Sequence, residues 1–446
     1  MKNLPEASEG ILRFFRWFCH PDFQEEFEGD LLERFHQKAV ASGERNAQWN
    51  LFWDVLTLCR PSLIRPFHPV NHFIMLRQNF KISWRTLLKH KGFSLINITG
   101  LALGMTIALL IGMWLADELQ FNRQFEHRDE IARVMQHRTF GGVKQTWTST
   151  MYPLAEELRT SYGHLFKTVV KTTHPHQQTF KIAEDSFNET GLFAEPGFTA
   201  MLSLKMLKGS AESIKEPSTI LLSETFASNL FGEQNPLNQT LTIAETAVKV
   251  GGIYQDFSQQ SSYFNTHYLG NWLLYEQIDE WVTSMETPWR PNAFQTLIQL
   301  AENTPLETAS TAIHTIIADH TTHIGAVAAS EPITFLHPMN KWYLESRFED
   351  GINTGGRIDD VWLFGIVGAF ILLLACINFM NLSTARSEGR AKEVGVRKVL
   401  GSARSQLMGQ FYSESILLSA LAFLLALGFT LLVLSAISLK PAKASK

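Results

Sequence analysis

Histidine and cysteine side chains in this chain occur at spacings that suggest one kind of chemistry, the binding of a metal ion. The candidate sets are His174 with His176, the trio His314, His320 and His323, and Cys19 with His20 and His36. Zinc sites use four ligands in closely spaced pairs, often with a carboxylate or cysteine nearby. The two histidine sets lack such partners at ligand spacing, and Cys19, His20 and His36 are mismatched ligands without a Cys-x-x-Cys pair, so we predict no metal site.

Nucleotide chemistry and covalent catalysis are also not expected. A phosphate-binding Walker A loop needs a lysine directly after a glycine, and no Gly-Lys dipeptide occurs in the 446 residues. The chain has no nucleophile elbow, no His-Glu-x-x-His motif and no pair of carboxylates at a spacing that suggests acid–base work. We therefore predict a protein that is not an enzyme, with no catalytic residue and no cofactor of its own.

Three apolar stretches are long enough to cross a membrane, at residues 92–116, 361–385 and 412–439. Each exceeds the roughly 20 residues that cross about 30 Å of hydrocarbon at about 1.5 Å per residue. In the first stretch small residues recur every four positions, which predicts a face for close helix packing: Gly100, Gly104, Ala108 and Gly112. In the third, Glu414 is an acid at the membrane edge, where it either pairs with Arg404 or stays among the headgroups.

A short basic segment, residues 386–411, separates the second and third spans. It carries six Lys and Arg side chains against two acids, so we predict a cytoplasmic loop. The cations are Arg386, Arg390, Lys392, Arg397, Lys398 and Arg404, and the acids are Glu388 and Glu393. Four apolar residues form an edge that two glycines interrupt: Val394, Val396, Val399 and Leu400, with Gly395 and Gly401. Such an amphipathic piece either lies on lipid headgroups or docks into a partner.

These spans divide the chain into a membrane protein with two polar regions. Residues 1–76 predict a helical cytoplasmic prefix domain, and residues 77–116 a basic juxtamembrane helix followed by the first span. The cations of residues 77–91 recur about every four positions, which favours contact with anionic lipid over nucleic acid because a span follows at once. Residues 117–360 carry 30 acidic and 17 basic side chains and predict one mixed α/β extracytoplasmic domain. Residues 440–446 form a tail.

Local patterns inside residues 117–360 predict both helices and strands. A helix begins after Pro153, and Ser223 caps another that ends before Gly232. Thr240–Ile243 and residues 247–254 predict two strands joined by a short turn. Pro305 begins a helix whose buried face extends to Ile317.

Two groups of motifs resemble those of FtsX-like/MacB-like ABC transporter permeases. Glu-Val-Gly-Val-Arg-Lys-Val-Leu-Gly-Ser at residues 393–402, directly after a span that ends Cys-Ile-Asn-Phe-Met-Asn-Leu-Ser-Thr-Ala-Arg, is similar to a loop of that family. Three ordered landmarks, at residues 193–209, 220–237 and 250–257, resemble the MacB-type periplasmic core domain. The resemblance covers roughly residues 77–439, and residues 17–31 resemble a prefix domain found ahead of some of these permeases.

The resemblance implies a function and a set of partners. In that family the loop between the second and third spans couples to a cytoplasmic ABC ATPase. The matching residues here are Glu393, Val394, Gly395, Val396, Arg397, Lys398, Val399, Leu400 and Gly401. We expect a permease subunit in a bacterial inner membrane, with ATP bound by a separate partner subunit and with a homodimer or second permease unit beside it. The surrounding partner is the lipid membrane, not nucleic acid.

One feature departs from the family pattern. Family members end each unit with a fourth span, whereas this chain stops just after the third, so we expect a C-terminally truncated permease. Two other interpretations stay open: a membrane-anchored extracytoplasmic sensor or binding protein, and a non-functional fragment of a permease. An ATPase gene beside this one would favour the transporter.

Overall fold

A computed structural model describes residues 7–19, 21–58, 69–401 and 404–438. The chain divides into two compact units. The first comprises Met1–Thr99 and Asn381–Phe423, and the second comprises Gly100–Met380 and Leu424–Lys446.

The first unit contains a small helical core near the N-terminus. The first five helices of the chain are α1 (Glu9–Phe18), α2 (Pro21–Ser42), α3 (Glu44–Thr57), α4 (Pro69–Lys89) and α5 (Lys91–Leu119). Helices α1 to α3 pack around a buried cluster that includes Phe15, Phe35 and Leu51. The Lys38–Asp54 ion pair, at 2.8 Å, joins α2 to α3. The neighbouring Phe14 is exposed.

The second unit contains a mixed α/β domain, here residues 120–356, that has two β-sheets. Its strands are β1 (Ile131–Phe140), β2 (Val143–Trp147), β3 (Phe166–Thr173), β4 (His176–Ile182), β5 (Asp185–Ala194), β6 (Met206–Gly209), β7 (Thr219–Ser223), β8 (Thr240–Ile243), β9 (Thr246–Tyr254), β10 (Tyr268–Asn271), β11 (Phe294–Leu300), β12 (Ile333–Pro338), β13 (Arg347–Glu349) and β14 (Ile352–Gly355). Its helices are α6 (Leu154–Tyr162), α7 (Gly197–Met201), α8 (Glu224–Phe231), α9 (Trp272–Ile278), α10 (Leu306–Ala312), α11 (Ile316–Thr321) and α12 (Gly325–Ala328).

Six strands of the larger sheet close into a ring. The pairing runs β5–β10–β7–β9–β8–β4 and returns to β5. All six strands contribute to one buried cluster, with Phe193 from β5, Ile220 from β7 and Tyr268 from β10 among its members. Closing a sheet leaves no free strand edges within the ring, so this part of the domain is a small filled barrel.

The rest of the larger sheet is open and buries both of its faces. It continues from β5 through β3, β11 and β1 to β12. Because side chains alternate along a strand, adjacent residues such as Leu297 and Ile298 enter different cores. Helices α6, α10 and α11 cover the face of Ile298.

Several local predictions are confirmed. Helix α6 begins at Leu154, after Pro153. The hydroxyl of Ser223 accepts a hydrogen bond from the backbone N–H of Phe226, and α8 ends at Gly232, whose φ is 58°. Strands β8 and β9 also lie where expected. The single helix predicted after Pro305 is instead two short helices, α10 and α11. Ile317 of α11 and Ile313, which lies between the two helices, belong to the same buried cluster.

Three helices of the described residues are long and apolar enough to cross a membrane. The candidate spans are Lys91–Leu119 in α5, Arg357–Ala385 in α13 (Arg357–Val399) and Leu407–Ile437 in α14 (Arg404–Ser438). They correspond to the three apolar stretches of the sequence.

The predicted cytoplasmic loop between the last two spans, residues 386–411, has a definite conformation. Helix α13 continues through Gly395 to Val399, and α14 begins at Arg404, so residues 386–411 are mainly helical. A glycine inside a helix costs only about 1 kcal/mol relative to alanine, and the neighbouring Ala, Lys, Arg and Glu residues are good helix formers. The break falls at Gly401 instead, whose φ of +90° is the left-handed conformation that ends helices.

Candidate functional site

The predicted coupling residues occupy the end of α13 and the turn after it. Leu400 N donates to Val396 O at 3.0 Å, and Gly401 N donates to Lys398 O at 3.1 Å, so helical hydrogen bonding reaches the glycine. Gly395 and Lys398 are exposed, and Val394 is half-buried. The side chains of Glu393 and Arg397 lie outside the described part of the chain.

This end of α13 presents apolar side chains to solvent. Val399 is 88% exposed, Leu400 79% and Val396 54%. Apolar side chains this exposed are unfavourable in water and mark a surface that contacts another molecule when they are grouped. The geometry is compatible with either alternative left open by the sequence, a lipid surface or a protein groove.

Glu414 lies in α14 and is buried. A buried carboxylate is costly unless it is paired. Burial of Glu414 therefore fits a paired carboxylate better than one among the headgroups. The side chain of its predicted partner, Arg404, lies outside the described residues, and that pairing stays a prediction.

The small-residue face of α5 contacts α13 over part of its predicted length. A Cβ atom added to Gly104 would lie 2.5 Å from the Cβ of Ala375, and one on Gly100 would lie 3.3 Å from Nδ2 of Asn378. Ala108 is half-buried. A Cβ on Gly112 would meet no atom of the described residues within 4 Å. The part of the predicted stripe at Gly112 therefore has no neighbour among the described residues and stays a prediction.

Helix geometry explains why the stripe ends. At about 3.6 residues per turn, each step of four residues turns the side chain by about 40°, so Gly112 points about 120° away from Gly100. Beyond Gly104 the close approach uses a glycine of α13 instead. There a Cβ on Gly368 would lie 3.1 Å from Cγ2 of Ile111. The hydroxyl of Thr106 also lies 3.4 Å from the carbonyl oxygen of Ala426, which brings α5 next to α14.

A cluster of four side chains lies where α5 and α13 join the α/β domain, and we call Glu118, Phe121, Tyr343 and Arg357 the junction cluster. The guanidinium of Arg357 donates to both carboxylate oxygens of Glu118, from Nε at 3.2 Å and from Nη2 at 3.0 Å. Glu118 is 6% exposed, so this bidentate pair is largely removed from water on one side. Such fork geometry is the stronger form of an Arg–carboxylate contact.

Aromatic contacts complete the junction cluster. The ring of Tyr343 stacks on Phe121 with centroids 3.7 Å apart, and the Arg357 guanidinium lies 4.9 Å from the Tyr343 ring centroid. Burial and the hydrogen bond to Glu118 raise the pKa of Tyr343 to about 12, so the phenol stays protonated near neutral pH and can donate to Glu118. The junction cluster joins the end of the candidate span in α5 to the beginning of the candidate span in α13.

Hydrogen bonds next to the cluster hold the end of α5 to loops of the α/β domain. Asp117 accepts from the side chain of Gln260 at 2.5 Å. The amide of Asn122 accepts from Ser262 N at 2.8 Å and donates to Met339 O at 3.3 Å. A displacement of α5 would therefore be transmitted to these loops.

No local pattern of the sequence predicts the junction cluster. Glu118 and Arg357 are 239 residues apart, and nothing in their local patterns pairs them. A signal was present, because an acid just after the first span and a base just before the second lie at the same side of a membrane.

His174, one of the histidines considered as metal ligands, has other partners in the structure. His174 uses both ring nitrogens, Nε2 with the Ser149 hydroxyl at 2.9 Å and Nδ1 with Nε2 of Gln295 at 3.1 Å. In the described residues, no three His, Cys, Asp or Glu side chains come together as metal ligands. His20 lies outside the described residues.

Burial keeps two further histidines of the α/β domain uncharged at neutral pH. It lowers the pKa of His137 to about 4, with Lys144 and His314 adding to the effect, and the pKa of His337 to about 4, where Arg133 adds to it. These two groups therefore do not change charge near neutrality.

Two known protein families match different parts of this chain. The MacB-like periplasmic core domain matches residues 94–316, and the FtsX-like permease C-terminal domain matches residues 365–445. The chain belongs to the MacB/FtsX-like family of ABC transporter permeases. Members of this family are membrane-embedded permease subunits, which agrees with the three candidate spans.

Individual relatives of this permease match over short segments. It is 33% identical over 66 residues to the uncharacterized ABC transporter permease YknZ of Bacillus subtilis, covering 15% of this chain and 17% of that protein. It is 35% identical over 75 residues to the macrolide export ATP-binding/permease protein MacB of Bdellovibrio bacteriovorus, covering 16% of this chain and 12% of that protein. These alignments span less than a fifth of each relative.

A solved structure also matches the permease at low similarity. A domain of a permease protein from Porphyromonas gingivalis is 19% identical, with a TM-score of 0.40, and the match covers 48% of this chain and 91% of that one.

Replacing Gly104 by isoleucine tests the close approach of α5 and α13. We expect Gly104→Ile to lower the free energy of unfolding by about 1–3 kcal/mol, because the added atoms overlap Ala375. The measurement is equilibrium unfolding of the full chain in mixed micelles by titration with sodium dodecyl sulfate. Gly112→Ile, the matched control on the same helix, should change it by less than about 0.5 kcal/mol. Equal losses for the two variants would contradict the packing described.

Replacing Arg357 tests the junction cluster. Arg357→Gln should lower the free energy of unfolding by about 1–3 kcal/mol, because the buried Glu118 carboxylate loses its charged partner. The same micelle titration measures it. The control is Arg347→Gln, which removes the ion pair of Arg347 with Asp359 at 3.4 Å. The two side chains of that pair are 55% and 54% exposed, so its loss should lower the free energy of unfolding by less than about 1 kcal/mol.

A double variant separates the charge pair from simple damage to the helix end. Adding Glu118→Gln to Arg357→Gln removes the unpaired buried charge, so it should restore part of the lost stability. If the double variant were as unstable as the sum of the two single variants, the ion pair would not be coupling the two helices.

Proposed function

We propose that this chain is the permease subunit of an ABC transporter in a bacterial cytoplasmic membrane, and that it works with an ATPase on a separate chain. Family membership supports the permease role. The lack of a Gly-Lys dipeptide in this chain supports a separate ATPase, because the Walker A lysine must follow a glycine to reach the phosphates. In this proposal ATP binds to the partner.

The proposed mechanism rests on one observation, that α13 is a continuous helix. It is one helix of 43 residues that begins at Arg357 in the junction cluster and ends at Val399 among the exposed apolar side chains. The i to i−4 hydrogen bonds of a helix resist stretching, so a displacement applied at one end moves the other. We assign the exposed end, residues 393–401, to contact with the ATPase.

The ATPase must hold this end differently in its two nucleotide states. A partner shifts a conformational equilibrium only by as much as its affinities for the two states differ. The exposed Val396, Val399 and Leu400 provide apolar surface that a groove can bury in one state and release in the other. The movement then passes through the junction cluster to the α/β domain, which acts on a substrate or on a partner outside the cell.

Charge distribution supports the orientation. The basic residues of positions 386–404 favour the cytoplasmic side, whereas the α/β region is acidic overall. The N-terminal helices then lie in the cytoplasm, and the α/β domain lies outside.

Cysteine labelling tests this orientation. In a chain whose three native cysteines are replaced by serine, we expect a membrane-impermeant maleimide to label Ser218→Cys in spheroplasts, and to label Lys398→Cys only after the membrane is permeabilised. Both positions are exposed, so the difference reports the membrane and not burial within the protein. Labelling of Lys398→Cys alone in sealed spheroplasts would reverse the topology and end the proposal.

Aspartate substitutions test contact with the ATPase. We expect Val396→Asp combined with Leu400→Asp to reduce copurification of an ABC ATPase encoded beside this gene, and its ATP hydrolysis in the complex, by at least about tenfold. Burial of a Val or Leu side chain contributes about 1.5–3 kcal/mol, and about 1.4 kcal/mol corresponds to a factor of ten.

The matched control for that experiment is Ile352→Asp. Ile352 is 68% exposed in the β13–β14 hairpin of the α/β domain, so the substitution introduces one aspartate at an exposed apolar site elsewhere. It should leave copurification unchanged. Unchanged copurification for the Val396/Leu400 variant as well would refute the assigned role of residues 393–401.

A further inference from the structure

Helix α4 exposes two neighbouring stripes of different chemistry. Its cations recur every four residues at Arg77, Lys81, Arg85 and Lys89, and all four are exposed. Its exposed apolar side chains also recur every four residues, at Phe80 (55%), Trp84 (44%) and Leu88 (54%). Residues three apart are neighbours on a helix surface, so each apolar side chain lies beside the cation three positions before it.

A different face of α4 is turned into the protein. Ser83 and Leu87 are buried. Neither stripe includes these residues, so both stripes remain open. Between them lies an open groove of about 540 Å³ lined by Arg77, Gln78, Phe80, Lys81 and Trp84.

The cations of this face lack acidic partners. Residues 61–92 contain no Asp or Glu. Within the described residues, none of the four stripe cations forms an ion pair with a carboxylate. Four uncompensated charges on one face attract an anionic surface.

Helix α4 also leads directly into a candidate span. Only His90 separates it from α5, and hydrogen bonds continue across that residue, from His90 N to Thr86 O at 3.2 Å and from Ser94 N to His90 O at 3.0 Å. The hydroxyl of Ser94 also donates to the carbonyl oxygen of Leu87, seven residues earlier, at 3.3 Å, a contact that a straight helix does not allow. The chain therefore bends near His90, which lets α4 lie along the headgroups instead of projecting from them.

We propose that the groove of α4 binds an anionic phospholipid, with its phosphate between Arg77 and Lys81 and its acyl chains against Phe80, Trp84 and Leu88. Long cationic side chains keep their charge at the headgroups while their stems cover apolar surface, and Trp prefers this interfacial depth. The inference needs α5 to cross a membrane and does not need coupling to an ATPase. Either proposal can therefore fail without the other.

Quenching of tryptophan fluorescence by brominated lipid tests the site. The full chain is reconstituted into phosphatidylcholine bilayers that contain a minority of either dibromo-phosphatidylglycerol or dibromo-phosphatidylcholine. The chain has 11 tryptophans, so the signal of Trp84 is the difference between the natural chain and Trp84→Phe. We expect that difference signal to be quenched more strongly by the anionic lipid at equal bromine content.

A triple variant removes the charge and keeps the apolar stripe. Arg77→Gln, Lys81→Gln and Arg85→Gln together should lower the preference for phosphatidylglycerol at least about fivefold, the ratio expected for the loss of one such charge near the surface. The matched control neutralises three exposed lysines of the α/β domain, Lys167→Gln, Lys181→Gln and Lys249→Gln, and should leave the preference unchanged.

Three outcomes would overturn the proposal. Equal quenching of Trp84 by the two lipids would remove the headgroup preference, and no quenching by either would place α4 away from the bilayer. Loss of the preference on adding inorganic phosphate, but not chloride of the same ionic strength, would assign the groove to a free anion. A preference that survives phosphate and is lost in the triple variant supports the lipid site.

Discussion

The carboxylate of Glu118 has to be neutralised where it is buried, and Arg357 supplies the opposite charge. These residues lie at the end of α5 and at the start of α13, so one bidentate contact brings together the two points where the α/β domain joins the candidate spans. A domain held at a single point would be free to turn about it. The contact between Glu118 and Arg357 restrains that rotation.

Inside the apolar region the helices meet through small residues. Helices in lipid gain little from the hydrophobic effect when they pack, so close van der Waals contact decides which faces meet. Gly104 of α5 against Ala375, and Gly368 of α13 against Ile111, let the two helices approach from alternate sides. Residues four apart lie at successively different angles around a straight helix, so one four-residue repeat cannot stay in the contact. Because the glycine comes first from α5 and then from α13, the two helices remain close. A rigid contact of this kind preserves the register of the two helices when either is displaced.

The two ends of the long helices have different chemistry. Near Lys91 and Val399 the chain exposes cations and apolar side chains that suit headgroups and a protein groove. Near Leu119 and Arg357 it forms a satisfied network of an ion pair, stacked rings and hydrogen bonds. Exposed groups suit a contact that forms and breaks, whereas a buried network suits a contact that persists.

Much of the coarse architecture could be predicted from the residues, because hydrophobic runs, caps and turn residues act over short distances. The three apolar helices, the cap at Ser223 and the β8–β9 hairpin are of this kind, and the motifs of residues 193–257 and 393–402 indicated the family. Predictions that depended on the surroundings of a residue fared less well. Gly395 looked like a helix breaker although its neighbours hold the helix, and Gly112 lies on a different side of α5 from Gly100 and contacts no other helix of the described residues.

The sequence by itself determined the family, the candidate spans and the basic segment beside them, since each is written in composition or in contiguous motifs. Only the tertiary structure decided the closure of six strands into a ring, the pairing of Glu118 with Arg357, and the face on which Phe80 and Trp84 lie open. These features join residues that are distant along the chain or depend on which side of a helix is covered. The physical reason is that such contacts are selected by the burial and charge balance of the whole fold, which no local pattern contains.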